Sequence, residues 1–354
     1  MAEGAENVVE WWDMRVPRIQ QIPGHGTHFF HCMSRVVDRR HCFEQEEKEQ
    51  FVKLLWEYAT FCGIRVLNYC VMSNHFHLEL EVPPRPSQPL SAEAFLKRLA
   101  GLSASTLTPA RARQELEVFQ RAGDAAGERA YLERKCRDMW SLSGFMKRLK
   151  GRFTQWFNRR HGRRGTLWEE RFKSVLVQGS AASLLVVAWY LDLNPIRARI
   201  VTDPGLYPWC GYGAALTGST GARLGIQSLM QYAEGRNPSE EEALAEYRQR
   251  LFQWGEAGRE GTQETGEPLK PGFSPEQVLE VLKAKGQVRL TQLAQVSVRY
   301  LTQGIALGDE EFVEAVYTAN SGHFGPRRKT GARRMRGVTE PLYTLRDFRR
   351  RVFH

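Results

Sequence analysis

The stretch Asn74-His75-Phe76-His77-Leu78-Glu79-Leu80-Glu81 constrains the fold more than any other part of the chain. Polar and apolar residues alternate along it, and successive side chains of a β-strand point to opposite faces. His75 and His77 therefore project together, while Phe76, Leu78, Leu80 and Val82 project the other way. The pattern predicts a strand with one wet face and one face in the core. Two imidazoles side by side on a rigid strand can share one divalent cation at about 2.0–2.2 Å, with little ordering left to do. A lone His-x-His also fits a half-exposed strand that binds nothing, so the pair needs support from elsewhere in the chain.

The flanking sequence places this strand in a small α+β unit. His28 to Arg35 has the aromatic and apolar content of a strand, and Phe51, Leu54, Leu55 and Tyr58 give helical spacing within Glu44 to Phe61, closed by Gly63. Arg65 to Met72 reads as a second strand, and Ser73-Asn74 as the turn that folds it onto the His-x-His strand. The order is strand, helix, strand, strand. After the break Pro83-Pro84-Arg85-Pro86, the charged stretch Ala92 to Cys136 reads as an insertion of exposed helices without chemistry.

Charge then narrows the partner. Across 354 residues, 50 Lys and Arg stand against 40 Asp and Glu, and the net charge of +10 is clustered, which suits an anionic polymer and also a merely basic globular protein. From Phe145 to Lys173 basic and aromatic residues interleave, a texture that suits nucleic acid, with cations for phosphates and rings for unpaired bases. Phe145, Leu149, Phe153, Trp156 and Phe157 recur at helical spacing and are assigned to the core, leaving Arg159, Arg160, Arg163, Arg164 and Lys173 as the DNA-contacting candidates. Gly162 and Gly165 turn the end of this helix into a basic loop. The six cysteines form no CxxC pair or disulfide ladder, and no signal peptide or apolar run of membrane-spanning length is present, so a cytoplasmic, nucleoid-associated protein with free thiols and no membrane contact is expected.

Further on, Ser174 to Val177 is a short strand candidate and Gly179-Ser180 a helix start, leading to Trp189-Tyr190-Leu191 and then Asn194-Pro195. Tyr190 and Asn194 are four apart, so a helical path puts them on one face, although Pro195 disfavours helical geometry at Asn194 and makes it a candidate cap. A tyrosine here equally fits a core ring with a satisfied hydroxyl.

Taken together, His75-Phe76-His77 after a strand pair, the block Phe145 to Val177, and Tyr190-Leu-Asp-Leu-Asn-Pro-Ile-Arg-Ala-Arg-Ile-Val201 followed by Tyr207-Pro208-Trp209 resemble the single-tyrosine HUH transposases, and within them the REP-associated tyrosine transposases. The resemblance runs from about Arg18 to Ala215. It implies a ferredoxin-like or RRM-like antiparallel sheet with helices on one face, joined here by a helical insertion and a small C-terminal helical unit. It implies His75 and His77 as metal ligands, the Asn194 amide oxygen completing the site, Tyr190 as nucleophile, and Mg²⁺ or Mn²⁺ as the ion, though two imidazoles alone would also accept Zn²⁺. Arg199 stands where many relatives have Gly, and Cys210-Gly211 where many have two serines. Neither departure touches the proposed chemistry.

The chemistry implied is cleavage and rejoining of single-stranded or hairpin DNA of repetitive extragenic palindromes, through a 5′-phosphotyrosine linkage with a free 3′-hydroxyl on the other segment. A free tyrosine has a pKa near 10, so about one in a thousand is phenolate at pH 7, a cost of ~4 kcal/mol that a divalent ion would offset. Two alternatives stay open: a DNA-hairpin-binding protein of the same fold that has lost turnover, and an RRM-like RNA binder, which would require neither Tyr190 nor the two histidines. The expected organisation is an N-terminal arm over 1–26, a catalytic domain over 27–216 with the insertion at about 90–142, a helical and linker segment over 217–272, and a small domain with a basic tail over 273–354, as a monomer or homodimer. Phe273 to Glu314 has a helix-turn-helix texture that suits DNA reading and equally a small helical domain, and the tail carries Arg327-Arg328-Lys329, Arg333-Arg334, Arg336 and Arg349-Arg350-Arg351.

Overall fold

The computed structural model describes residues 26–254, apart from 104 and 106, and beyond them 273, 274, 276, 278, 279, 281, 301, 304–325, 327–335 and 341–346. The N-terminal arm, the 255–272 linker, most of the helix-turn-helix candidate, Arg336 and Arg349 to Arg351 lie outside the described residues.

The core begins with β1 (His28–Arg35), α1 (Gln45–Cys62), β2 (Arg65–Val71) and β3 (His75–Val82). Helix α1 starts at a capping box, in which Glu47 accepts from the Glu44 amide at 3.0 Å, and it ends at Gly63 with φ of 70°. A Cβ at Gly63 would lie 2.6 Å from the Trp140 indole nitrogen, so glycine serves both the left-handed backbone and the close approach. The β2–β3 hairpin closes at Ser73-Asn74, where the Met72 amide donates to the His75 carbonyl at 2.8 Å. Helices α2 (Ala92–Ala100), α3 (Pro109–Arg121) and α4 (Ala125–Cys136) form the insertion, followed by α5 (Leu142–Arg160) and β4 (Lys173–Val177). The strands β2-β3-β1-β4 are antiparallel throughout, in keeping with the ferredoxin-like antiparallel sheet that the resemblance implies.

One face of this sheet is a hydrophobic core. Phe76 meets Phe51 of α1 at a ring distance of 4.6 Å, and Phe153 of α5 meets Phe51 and Phe43 at 5.2 Å each. Phe145, Leu149, Phe153 and Phe157 are all buried, as their spacing predicts. Each such ring removed from water contributes about 1.5–3 kcal/mol, so this layer holds the strand that carries the histidines.

The other face differs from expectation. It is not wet: His77 is 1% exposed and Glu79 and Glu81 are 0% exposed. A second helical layer covers it, made by α6 (Ala181–Asp192), α9 (Thr220–Glu234) and α10 (Glu240–Trp254), with the single turn α7 (Asn194–Arg197) and α8 (Gly211–Leu216) between them. Helices thus lie on both faces, and His77, Glu79 and Glu81 of β3 are buried beside other titratable groups, while His75 at the strand's start is half-buried. Asp192 shows how this layer is tied down, accepting from Asn68 of β2 at 2.8 Å, Tyr247 of α10 at 2.5 Å and the Tyr212 amide of α8 at 3.1 Å.

The sheet does not stop at β4. Strand β5 (Ala306–Gly308) pairs parallel to β4, Leu176 opposite Ala306, and β7 (Tyr343–Leu345) and β6 (Arg333–Arg334) follow, giving seven strands in the order β2-β3-β1-β4-β5-β7-β6. Helix α11 (Glu310–Ala319) packs on this extension. The C-terminal unit expected to be helical therefore also supplies strands, because β4 leaves an unpaired edge that short strands can complete.

Candidate active site

Cross-strand register sets the site. On the covered face, Arg35 pairs with His75, Met33 with His77 and His31 with Glu79, while Lys173 of β4 pairs with Met33 from the other side. Helix α6 lays Tyr190 over this row. Its ring lies 5.4 Å from that of His77 and 5.8 Å from that of His31, each nearly edge-on, and His75 and His77 are 5.0 Å apart. The structure therefore brings together His75, His77 and Tyr190, which the sequence holds on separate elements.

Hydrogen bonds orient the rings. The Asn74 side-chain oxygen can only accept, so His75 Nδ1, at 2.7 Å, carries a proton and donates to it. Nε2 of His75 is left with its lone pair. His77 Nδ1 faces His31 Nε2 at 3.0 Å, and His31 Nδ1 faces the Leu301 carbonyl at 2.8 Å. Burial pulls His31 and His75 down to about 4 and His77 well below the ordinary imidazole value, with Arg35 adding to the effect on His75 and His77. Neutral imidazoles are the form that ligates a metal. Among the described residues no three His, Cys, Asp or Glu side chains form a metal cage, so any ion here would take two imidazoles and complete its shell with other oxygens.

Asn194 sits where α6 gives way to α7. Leu193 makes the break and Pro195 occupies the first turn of α7, where its missing amide is harmless. Asn194 therefore adopts helical geometry, against the expectation from Pro195, yet it still caps: its amide nitrogen donates to the carbonyls of Tyr190 at 2.7 Å and Leu191 at 3.4 Å. With that nitrogen committed, the amide oxygen is the end left for a ligand.

Tyr190 is 3% exposed. Burial pushes its phenol up to about 12, opposed by the Arg197 guanidinium and by a hydrogen bond from the Asn194 side chain. Arg197 lies 5.2 Å above the Tyr190 ring and donates to the Tyr190 carbonyl at 3.4 Å. Sequence reasoning missed Arg197 and His31. Arg197 stands two helical turns after Tyr190, and His31 shares the alternation of Phe29, Met33 and Arg35, so both left a signal in spacing alone.

The basic candidates gather at the same end of the sheet as His75. The Asn74 carbonyl accepts from the Val36 amide and the Leu167 carbonyl from the Val37 amide, so the turn before His75 and the loop after α5 share one wall. Gly162 and Gly165 have φ of 59° and 87° and form that loop. Arg159 and Arg164 are exposed, Arg163 lies over the Phe157 ring, Arg160 is ion-paired with Glu46 and Glu47, and Lys173 is 2.7 Å from Glu170. Glu79, beside the histidines, has no hydrogen-bond partner for either oxygen, and burial, with Asp192 nearby, raises it well above the carboxylate range. Among the described residues no helix is long and apolar enough to cross a membrane, and none of the six cysteines is joined in a disulfide.

Residues 26–120 match the family model described as IS200-like transposase, bearing out the resemblance over β1 to α3, with His75 and His77 inside the match and Tyr190 and Asn194 beyond it. The chain is also similar to a solved structure of a REP-associated tyrosine transposase bound to a REP hairpin, at 12% identity and a TM-score of 0.35 over 58% of this chain and 86% of that one. No curated protein matches the sequence.

Proposed function

We propose that the chain is a divalent-metal-dependent endonuclease and strand transferase that cleaves single-stranded or hairpin DNA of repetitive palindromes through a 5′-phosphotyrosine on Tyr190. The observation that carries the reading is the placement of Tyr190 against His77, 5.4 Å away, beside a second imidazole whose Nε2 keeps its lone pair. Residues 27–216 would form the catalytic domain, with 90–142 as its insertion and 217–272 and 273–354 appended.

His75 and His77, with the Asn194 oxygen, would hold Mg²⁺ or Mn²⁺. When bound, such an ion supplies Lewis-acid charge at the scissile phosphate. The remaining work falls to the chain. Tyr190 attacks phosphorus, the phosphate–O3′ bond breaks, and a free 3′-hydroxyl leaves while the 5′-phosphate stays on the phenol oxygen. At pH 7 a phenol held at about 12 costs roughly 7 kcal/mol to ionise, more than for a free tyrosine. Arg197, stacked on the ring, stabilises the developing phenolate, and Asn194 and Arg197 fix the backbone beneath it. Arg159, Arg160, Arg163, Arg164 and Lys173 would hold flanking phosphates at the rim next to His75.

A second reading, a hairpin-binding protein without turnover, is favoured by the burial of Tyr190. One experiment separates the two. The protein is incubated with hairpin oligonucleotides and Mn²⁺, and denaturing gels are read for a covalent adduct. An adduct that depends on Mn²⁺ supports the enzyme. Tight hairpin binding with no adduct in any metal supports the second reading.

A further inference from the structure

The chain of contacts from Leu301 through His31 to His77 has a defined direction. A carbonyl oxygen only accepts, so His31 Nδ1, 2.8 Å from the Leu301 carbonyl, must carry its proton. In a neutral ring that leaves His31 Nε2 with a lone pair. His77 Nδ1 stands 3.0 Å from this nitrogen and must then be the donor. The last member of the chain, His77 Nε2, is deprotonated.

The alternative is a doubly protonated His31 donating in both directions, which would put the His77 proton on Nε2. It would place an imidazolium inside the protein without a hydrogen-bonded counter-charge. Glu79, the carboxyl across the strand from His31, has neither oxygen within hydrogen-bonding reach of a partner. An unpaired buried charge is costly enough that the neutral arrangement wins.

We infer that His31 is a positioning residue that fixes His77 with its proton on Nδ1 and Nε2 turned to the site, and that the backbone of the C-terminal segment takes part by supplying the Leu301 carbonyl. The inference rests on the functional reading above for the purpose of that lone pair, and on geometry for the proton itself. Leu301 is buried, and β5 follows it closely, with the Leu176 amide donating to the Ile305 carbonyl at 2.8 Å and the Ile305 amide to the Leu345 carbonyl at 2.7 Å. The sheet extension thus holds the first acceptor of the relay in place. Nothing in a His-x-His pattern reports this, because the two ends of the contact are 270 residues apart. Outer-shell groups of this kind, which set the tautomer of a ligating histidine, change metal affinity about 10–100-fold when removed.

The test uses the full chain, metal-free, with ¹⁵N-labelled imidazoles, and reads the protonation of each histidine nitrogen by long-range ¹H–¹⁵N correlation. His77 is expected as the Nδ1–H tautomer in the wild type. In His31→Phe it should relax toward the Nε2–H form, with Mn²⁺ binding, followed by calorimetry, weakened about 10–100-fold. In His31→Gln the side-chain carbonyl can still accept from His77, so tautomer and affinity should largely return. Finding His77 as Nε2–H in the wild type overturns the inference without any variant, as does an unchanged tautomer and Mn²⁺ affinity in a folded His31→Phe. A wild type that shows the Nδ1–H tautomer but binds no Mn²⁺ supports the relay and overturns the metal-dependent function instead.

Discussion

The Asn194 side chain turns back on its own helix, its amide nitrogen 2.7 Å from the Tyr190 carbonyl. The contact closes the end of α6 and holds the backbone of the proposed nucleophile. Asn194→Ala should lose about 1 kcal/mol by urea denaturation, the worth of one ordinary hydrogen bond. Asn194→Asp should lose more, because a carboxylate would face the carbonyl that the amide now satisfies. Equal stability of wild type and Asn194→Asp would mean that the contact does not hold the helix end.

Tyr190→Phe keeps the ring against His31 and His77 and removes the only atom able to attack phosphorus. Stability should change by about 1 kcal/mol at most and hairpin affinity should stay, while the covalent adduct disappears. Tyr207 and Tyr212 are controls whose hydroxyls are already engaged, Tyr207 donating to the Val71 carbonyl at 2.8 Å and Tyr212 accepting from Arg248 at 2.7 Å. Mass spectrometry that places the nucleotide on either of them, or on Tyr69, identifies a different nucleophile.

Of the two proposed ligands, His75 lies at the rim and His77 inside, so His75→Ala is the gentler probe. It should abolish Mn²⁺-dependent cleavage and lower Mn²⁺ affinity while leaving hairpin binding mostly intact, since the basic surface supplies most of that affinity. Cleavage by the variant at the wild-type rate in metal-stripped buffer would remove the ion from the mechanism.

Arg159 and Arg164 are exposed, whereas Arg160 is shared with Glu46 and Glu47. Replacing Arg159, Arg160, Arg163 and Arg164 together with Ala should weaken hairpin binding and flatten the plot of log affinity against log salt, by about 0.7–0.9 for each phosphate that is no longer neutralised. Arg160→Ala alone should move the slope least. An unaltered slope in the fourfold variant places the DNA on another surface.

Acid should weaken the metal-free protein through its imidazoles. His31 and His75 are held at about 4, below the ordinary 6.5, so between those values the unfolded chain binds more protons than the native one. Their contribution is complete above pH 6.5 and is lost as pH falls toward 4. Asp192 runs the other way: burial raises it to about 6, so its contribution is present below its ordinary 3.8 and is lost as pH rises through 6. A difference measurement isolates one group. His31→Phe should have a stability–pH curve less steep than the wild type by about 1.4 kcal/mol per pH unit within that window, read from denaturation midpoints. Parallel curves would show that His31 titrates normally.

Much of this architecture is legible in the sequence. Period-two alternation places His75 and His77 on one face, the apolar spacing of Phe51 to Tyr58 gives α1, and Gly63, Ser73 and Asn74 mark the turns where they occur. The covered face was not legible, because Glu79 and Glu81 alternate like solvent-facing residues, and two of the three helices that cover this face, α9 and α10, come from 217–254, a segment with no local mark of which sheet it covers. Alternation reports that two faces differ in chemistry, not that one meets water. His31 and Arg197 escaped for a related reason: each acquires meaning only from a neighbour that the fold, and not the sequence order, puts beside it.

The parallel pairing of β4 with β5 also orders events in time. At roughly 5–20 residues per second, synthesis of the 270 residues between His31 and Leu301 takes on the order of 15–50 s. Late in that interval β1 to β4 and both histidines are outside the ribosome, since β4 ends at Val177, yet the Leu301 carbonyl has not been made. A nascent chain can therefore fold its ferredoxin-like half well before His31 receives its partner, and the maturation of the centre is delayed until translation has reached the strand that anchors it.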